Sequence, residues 1–277
     1  MGLTPEVLEP VVRAALAEDV GSGDVTTESV VPATARCRAI LVLEEPGVVC
    51  GVAAVRAVFE ALDPDVALEA LLDEGARITD VPAPVAAIEG GARAMLTGER
   101  TALNLFGRLC GIATLTARYV DLVAGTGAEI LDTRKTTPGL RALEKYAVRC
   151  GGGTNHRFGL HDAVLLKENH LRIAGGIAPA VAAARNGRPV EVEAEALDEV
   201  AEALDAGADR ILLDNMTPEQ VRRAVELVGG RAQLEASGGI SLATVRAYAE
   251  TGVDFVSVGA LTHSARSLDI SLEVDVA

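Results

Sequence analysis

The chain has 277 residues, of which 49% are hydrophobic and only 3% aromatic, and its formal net charge is -15. This length favours one large domain or two unequal ones, with a core built from Ala, Val, Leu and Ile. The acidic balance disfavours a nucleic-acid-binding protein, because such proteins neutralise phosphates with Lys and Arg.

We expect neither a membrane span nor a secretory signal. No apolar run reaches the ~20 residues that cross a bilayer, and residues 1–9 contain acidic residues but no basic ones. The four cysteines are too scattered for a CxxC zinc site or a dense disulfide framework. They are Cys37, Cys50, Cys110 and Cys150. These features favour a cytoplasmic protein with buried, reduced thiols.

The first hundred residues predict a separate α+β unit. Residues 39–43 and 46–51 are typical of strands, and residues 52–62 of a helix. Turns are predicted at Pro82 and Pro84.

A helix over residues 99–123 is then predicted to connect this unit to the rest of the chain. We place an N-terminal α+β domain at residues 1–111 and a second domain, which carries the active site, at residues 112–277. In this interpretation the extreme C-terminus is free to pack on the N-terminal domain.

The second half alternates short apolar strands with amphipathic helices. Strands are predicted over residues 129–132, 163–167, 189–193, 209–214, 232–237 and 254–259, and helices over 197–206, 218–228 and 242–250. The later strands recur about every 22 residues, which indicates right-handed βα units around a parallel sheet. A doubly wound open sheet is the alternative to a barrel, although no GxGxxG follows any strand.

The segment 132–172 is basic, although the whole chain is acidic. It contains eight Lys or Arg residues against four Asp or Glu, and three of the four histidines. Arg134 and Lys135 directly follow one predicted strand, and Lys167 ends another. A solvated basic face is the alternative, but cations at the carboxyl ends of barrel strands lie at the active-site mouth. The segment therefore favours an anion-binding site.

Two glycine-containing turns follow late strands. Ser237-Gly238-Gly239 and Gly259-Ala260 each lie at a predicted strand end. Backbone N–H groups of such turns often hold a phosphate in barrels. Two tight βα turns without a ligand would have the same pattern.

A series of motifs resembles the quinolinate phosphoribosyltransferase family, in one order and over nearly the whole chain. The motifs are EDVGSGDVT at 18–26, ERTALN at 99–104, GIAT at 111–114, LDTRKTTPGLR at 131–141, GGGTNHR at 151–157, LKENH at 166–170, EVE at 191–193, LDN at 213–215 and SGGI at 237–240. The resemblance implies an incomplete α/β barrel with an N-terminal α+β sandwich-like domain. It also implies a homodimer with a shared active site, and leaves room for a larger assembly of dimers.

In that family, phosphoribosyl pyrophosphate reacts with quinolinate in the presence of Mg²⁺. The products are nicotinate mononucleotide, pyrophosphate and CO2, on the route to NAD. By resemblance, Arg100, Arg134 and Arg157 bind the quinolinate carboxylates, and Arg100 comes from the neighbouring subunit. His156 and Lys167 lie close by, and Thr133 is also assigned to substrate binding.

The resemblance also assigns residues to phosphoribosyl pyrophosphate. Lys135 and Lys167 would offset the charge of the leaving pyrophosphate, and Glu193 and Asp214 would lie near the ribose hydroxyls and Mg²⁺, which they hold through water. Lys135, Lys167, Glu193 and Asp214 are thus the predicted catalytic set. The predicted 5-phosphate site consists of Ser237, Gly238, Gly239, Gly259, Ala260 and His263.

Two other functions stay open at this point. One is a phosphoribosyltransferase for another base such as nicotinate, which carries one carboxylate and needs fewer arginines. The other is a non-catalytic phosphosugar- or nucleotide-binding barrel, which fold alone does not exclude. The combination of Lys135, Glu193 and Asp214 disfavours the second.

Overall fold

The computed structural model describes residues 2–185 and 187–276. The chain divides into two compact units. The first unit consists of Met1–Ala117, Thr136–Gly152 and Ser264–Ala277, and the second of Arg118–Lys135 and Gly153–His263. Among the described residues, no helix combines the length and the apolar character that a bilayer crossing requires.

The elements follow one another along the chain in a mixed α/β order. The helices are α1 (Pro5–Val20), α2 (Val25–Val30), α3 (Val52–Leu62), α4 (Ala92–Val123), α5 (Arg141–Cys150), α6 (Glu168–Ala174), α7 (Ile177–Ala184), α8 (Leu197–Asp205), α9 (Pro218–Val228), α10 (Val245–Ala249) and α11 (Ala260–His263). The strands are β1 (Arg36–Leu43), β2 (Gly47–Val48), β3 (Ala67–Ala70), β4 (Arg77–Ile78), β5 (Ala83–Gly91), β6 (Glu129–Leu131), β7 (Val164–Leu166), β8 (Val190–Ala194), β9 (Arg210–Asp214), β10 (Gln233–Ser237), β11 (Phe255–Ser257) and β12 (Ile270–Val276).

The first unit is built on a four-stranded antiparallel sheet with the order β12-β1-β5-β3. In β1, Cys37, Ala39 and Leu41 are buried, whereas Arg36 and Arg38 alternate with them and are exposed. Such alternation is typical of a strand that has one face on the core and the other in water. The α1 and α3 helices of the same unit pack against each other.

Two predictions in the first unit are wrong in detail. The strand predicted over residues 46–51 is reduced to β2, which pairs only with β4. Pro84 lies inside β5 and not in a turn. The register between β1 and β5 shifts at this point: Leu41 pairs with Ala86, whereas the next residue, Val42, pairs with Pro84. A proline has no N–H to donate, and an irregularity near the start of a strand accommodates it.

The second unit is built on a six-stranded parallel sheet with the order β6-β11-β10-β9-β8-β7. Thr154 extends it through a single parallel bridge to Leu131 on β6. The six strands lie within those predicted from the sequence, apart from a shift of about one residue at the end of β8. Because all the strands are parallel, their carboxyl ends lie at one edge of the sheet, where barrel active sites form.

The α9 helix shows why the local predictions in this half succeed. The Thr217 hydroxyl accepts the Gln220 N–H at 3.3 Å, and the Gln220 side chain accepts the Thr217 N–H at 2.9 Å. Pro218 occupies the first helical position, and Gly229 ends the helix with a φ of 56°. By contrast, α10 is shorter than the predicted helix over 242–250, since residues 241–244 form a hydrogen-bonded turn.

Candidate active site

Charged side chains occupy one face of the parallel sheet. Successive side chains of a strand point to opposite faces, so Glu191 and Glu193 share a face of β8, and Glu235 and Ser237 share a face of β10. Glu235 and Glu191 lie within their strands, whereas Glu193, Ser237 and Asp214 of β9 lie at or near the carboxyl ends. The face therefore has an inner layer and an outer layer of polar groups.

His156 contacts the inner layer. Its Nε2 atom lies 3.1 Å from a carboxylate oxygen of Glu191 and 3.4 Å from one of Glu235. Burial acts to lower the pKa of His156, but hydrogen bonds and attraction from the two carboxylates outweigh it and raise this pKa to about 9. This pKa favours the imidazolium form at neutral pH, in which Nδ1 gives up the Arg157 N–H that it accepts at 2.7 Å in this structure.

The two carboxylates beside His156 are not equivalent. Glu235 is fully buried and also lies 3.4 Å from a guanidinium nitrogen of Arg210. Burial acts to raise the pKa of Glu235, yet its bonds with His156 lower it overall. For Glu191, burial prevails and the pKa is raised. We call His156, Glu191, Arg210 and Glu235 the deep network.

The backbone at His156 is held by the end of β6. Asp132 is fully buried, and one of its carboxylate oxygens accepts the His156 N–H at 2.9 Å. Its other oxygen accepts the side-chain amide of Asn155. The Asp132 carboxylate thus holds the backbone that positions the His156 side chain.

Two arginines lie close to one another in the same unit. Arg157 donates to the Ala163 carbonyl at 3.2 Å. Burial, followed by repulsion from the Arg134 guanidinium, lowers the pKa of Arg157. Two cations that repel each other beside the imidazolium of His156 favour binding of an anion, and guanidinium forks suit carboxylates.

A second group lies at the strand ends. Lys167 forms an ion pair with Glu193, and the Lys167 side chain is 48% exposed. Burial and then repulsion from Glu193 raise the pKa of Asp214, while Lys167 and Lys135 oppose the rise. We call Lys135, Lys167, Glu193 and Asp214 the rim group.

The chemistry of the rim group fits a magnesium ion. Repulsion from Glu193 helps to raise the pKa of Asp214, and a divalent cation would relieve that repulsion. Mg²⁺ is commonly held by one or two carboxylates, with water and substrate phosphate oxygens completing the coordination. Glu193 and Asp214 are donors of this type.

Neighbouring side chains closely approach two glycines of the turns beside the rim group, Gly238 and Gly259. A Cβ on Gly238, whose φ is 101°, would lie 2.2 Å from the Asn215 side-chain oxygen. A Cβ on Gly259 would lie 3.1 Å from Lys135 and 3.2 Å from His263. Gly259 thus brings two cationic or polar side chains to one turn, directly before Ala260 at the start of α11.

Most of the predicted site residues belong to this unit and gather at its strand ends. The Thr133 hydroxyl accepts the Lys135 N–H at 3.0 Å, which shapes the turn after β6. Ser237 and Gly239 lie at the end of β10. Arg100 is different, because it lies on α4 in the other unit, where it is exposed. The role of Arg100 stays a prediction.

Three members of the deep network, Glu191, Arg210 and Glu235, have no role predicted from the sequence. Glu191 was recognised only as part of a motif, and Glu235 and Arg210 were not recognised. A signal was present, since Glu235 stands between the apolar residues Leu234 and Ala236 in a short predicted strand. A carboxylate at such a position requires a buried partner.

Comparison with known proteins identifies the family. Residues 24–110 match the N-terminal domain of quinolinate phosphoribosyl transferase, and residues 112–273 match its C-terminal domain. The chain belongs to the quinolinate phosphoribosyltransferase family. It is 43% identical over 261 residues to the probable nicotinate-nucleotide pyrophosphorylase (carboxylating) of Bacillus subtilis, which covers 93% of this chain and 90% of the relative. The enzyme of that name from Mycobacterium leprae is 44% identical, with 95% of each chain covered.

Solved structures of the quinolinate phosphoribosyltransferase family have the same fold. NadC from Streptococcus pyogenes superposes with a TM-score of 0.95 at 41% identity and covers 100% of this chain and 99% of its own. The prediction of an incomplete α/β barrel with an N-terminal α+β sandwich-like domain is thereby confirmed.

Proposed function

We propose that this protein transfers the phosphoribosyl group of phosphoribosyl pyrophosphate to quinolinate, with loss of CO2. The products are nicotinate mononucleotide and pyrophosphate, in NAD biosynthesis. The observation that carries this proposal is the pairing of Arg134 and Arg157 beside the imidazolium of His156, next to the rim group. Relatives named nicotinate-nucleotide pyrophosphorylase (carboxylating) support it.

Quinolinate is a dianion, and its recognition requires several cations in a confined place. Arg134 and Arg157 supply planar forks for carboxylates, and the deep network keeps His156 positive beside them. A monocarboxylate such as nicotinate would leave part of this positive charge without a counterion. The set of cations therefore favours a dicarboxylate.

The rim group suits the other substrate. Lys135 and Lys167 are placed to offset the negative charge of the departing pyrophosphate, and the turns at Gly238 and Gly259 to receive the 5-phosphate. When bound, Mg²⁺ would supply further charge to the leaving group. Glu193 and Asp214 would hold it through water, beside the ribose hydroxyls.

The reaction needs charge stabilisation and positioning more than proton transfer. Loss of pyrophosphate develops positive charge at the anomeric carbon, which the carboxylates of Glu193 and Asp214 stabilise. Attack by the pyridine nitrogen forms a quaternary pyridinium. Loss of the adjacent carboxylate as CO2 leaves its electron pair on the neighbouring ring carbon, where the positive nitrogen stabilises it until a proton from water is taken up. In this mechanism no protein nucleophile is required.

The proposal extends to the assembly. We infer a homodimer in which Arg100 of one subunit completes the quinolinate site of the other, in a cytoplasmic enzyme without nucleic-acid or membrane partners. The exposed position of Arg100 on α4 is consistent with a contact to a second copy of the chain. A single subunit would then have an incomplete site.

Release of pyrophosphate with each candidate base tests the reaction. We expect pyrophosphate and CO2 in equal amounts with quinolinate, and no turnover with nicotinate. Turnover with nicotinate alone would reassign the arginines, and turnover with neither base would favour the phosphosugar-binding function.

Mixing two inactive variants tests the shared site. Arg100→Ala and Lys135→Ala are each expected to lose activity while staying folded. In a random mixture, half of the dimers carry one subunit of each kind, and one of their two sites is intact, so roughly a quarter of all sites recover. Absence of recovery, with subunit exchange confirmed by mass spectrometry, would contradict the shared site.

A further inference from the structure

Three of the four cysteines lie together in the first unit. Cys50 precedes α3, Cys110 lies on α4, and Cys150 ends α5. The Cys110 sulfur accepts the Cys50 N–H at 3.3 Å and its thiol donates to the Cys50 carbonyl at 3.4 Å. Cys110 therefore anchors the Cys50 backbone, and the Cys50 side chain is left to face other groups.

The groups that the Cys50 side chain faces are Glu74 and Cys150. Ligand atoms of Cys50, Glu74 and Cys150 all lie within 4.8 Å of one another, and the Cys150 sulfur is 3.9 Å from a Glu74 carboxylate oxygen. Around a tetrahedral zinc ion, bonds of ~2.3 Å to sulfur and ~2.0–2.2 Å to oxygen place ligand atoms about 3.5–3.9 Å apart. The three groups are thus close to the spacing that one ion requires.

The carboxylate of Glu74 is already oriented. The Gly51 N–H donates to both of its oxygens, at 3.0 and 2.8 Å, and the Val52 N–H donates to one of them at 2.8 Å. Hydrogen bonds of this kind hold ligands in place around metal ions. A carboxylate has about four lone-pair sites, so the oxygen that faces Cys150 retains capacity for a cation.

The charges around this group favour a bound cation. Among the described parts of the chain, no Lys, Arg or His forms an ion pair with Glu74. A divalent cation is attracted by the carboxylate and by both sulfurs.

We propose that Cys50, Glu74 and Cys150 form a site for a thiophilic divalent cation, of which Zn²⁺ is the best match. Two sulfurs and one carboxylate oxygen select Zn²⁺ over Mg²⁺, which prefers oxygen ligands only. Cys150 is half-buried, so water can complete a fourth position. The ion would tie together three segments of the first unit that are far apart in sequence.

Metal analysis of the reduced, full-length protein tests the site. After incubation with Zn²⁺ and removal of excess ion, we expect one Zn²⁺ per chain. C150S and E74Q should each weaken Zn²⁺ at least tenfold in competition with a chromophoric chelator. C37S is the matched control, because Cys37 is a buried thiol on β1 outside the group, and it should bind like the unaltered protein.

Cobalt provides a readout that does not depend on enzyme activity. Co²⁺ bound by two thiolates should give a near-ultraviolet charge-transfer absorption, and C150S should retain about half of it or none. Stoichiometric uptake that C150S leaves unchanged would overturn the proposal. So would absence of uptake by protein whose thiols all react with a thiol reagent, or an intact mass showing that Cys50 and Cys150 form a disulfide under reducing conditions.

Discussion

The deep network and the rim group contain the same kinds of side chain on the same face of one sheet, yet their surroundings differ. His156, Glu191 and Glu235 have side chains at most 9% exposed, whereas Lys167 of the rim group is 48% exposed. Buried charges are stable only when each has a partner, because removal from water costs several kcal/mol per ion. Exposed pairs gain little from pairing, since water and salt screen them.

This difference in burial gives the two groups different roles: the deep network positions side chains, and the rim group contacts the substrate. We expect the deep network to contribute to the stability of the sheet and to favour the charged form of His156. The rim group is free to exchange its internal ion pairs for contacts with substrate. Two of the only three lysines in a chain with 22 arginines belong to the rim group, and a lysine ammonium is a compact point charge suited to phosphate.

The largest expected effect comes from breaking the deep network. Glu235→Gln removes one carboxylate from between His156 and Arg210 and leaves Glu191 as the one carboxylate of the deep network beside these cations. We expect the free energy of unfolding to fall by about 3–5 kcal/mol, measured by urea denaturation. A loss below about 1 kcal/mol would mean that the network is not a structural requirement.

Removal of a rim lysine should instead affect turnover. Lys135→Ala is expected to lower kcat by ~10²–10³-fold, because a charge that faces the leaving group is lost. The free energy of unfolding should change by less than about 1 kcal/mol. Arg223→Ala, at an exposed position on α9, is the control for loss of a surface cation and should leave kcat unchanged. Normal turnover of Lys135→Ala would remove Lys135 from the mechanism.

The titration of His156 provides a further test of the difference between the deep network and the rim group. Its pKa rises from 6.5 to about 9 on folding, so the stability that its charge contributes is fully present below pH 6.5 and is lost as the pH rises through about 9. NMR of the imidazole carbons should show one histidine that titrates near pH 9, and this signal should disappear in His156→Gln. Titration of His156 near its ordinary pKa would contradict the charge assigned to it.

The smallest expected effect is the stability change on breaking the rim ion pair. Glu193→Gln should alter the free energy of unfolding by only about 0–1 kcal/mol, since Lys167 is largely in water. The pKa of Asp214 should fall at the same time, because repulsion from Glu193 raises it. A stability loss as large as that of Glu235→Gln would remove the distinction between the two groups.

Much of the fold could be predicted because its signals are local. The capping residues Thr217 and Gly229 delimit α9, and short apolar runs delimit the parallel strands. The two errors in the first unit, at residues 46–51 and at Pro84, concern strands whose pairing depends on distant partners. Neither a two-residue strand nor a register shift has a local pattern.

The candidate site was predicted unevenly for the same reason. Residues at strand ends, such as Lys135, Glu193 and Asp214, could be predicted as site candidates because a parallel sheet brings all its carboxyl ends to one edge. The deep network was not found, because the burial of Glu191 and Glu235 depends on how side chains of neighbouring strands and of the segment at His156 meet.

The sequence by itself determined the order of the elements, the edge of the sheet at which the charges gather, and the family. Helix capping, strand alternation and motifs are properties of neighbouring residues, so they can be read along the chain. The tertiary structure alone decided which carboxylates hold His156 as a cation and that Cys50, Glu74 and Cys150 meet. Those contacts join residues far apart in sequence, and their energies depend on burial and on the neighbours that only folding supplies.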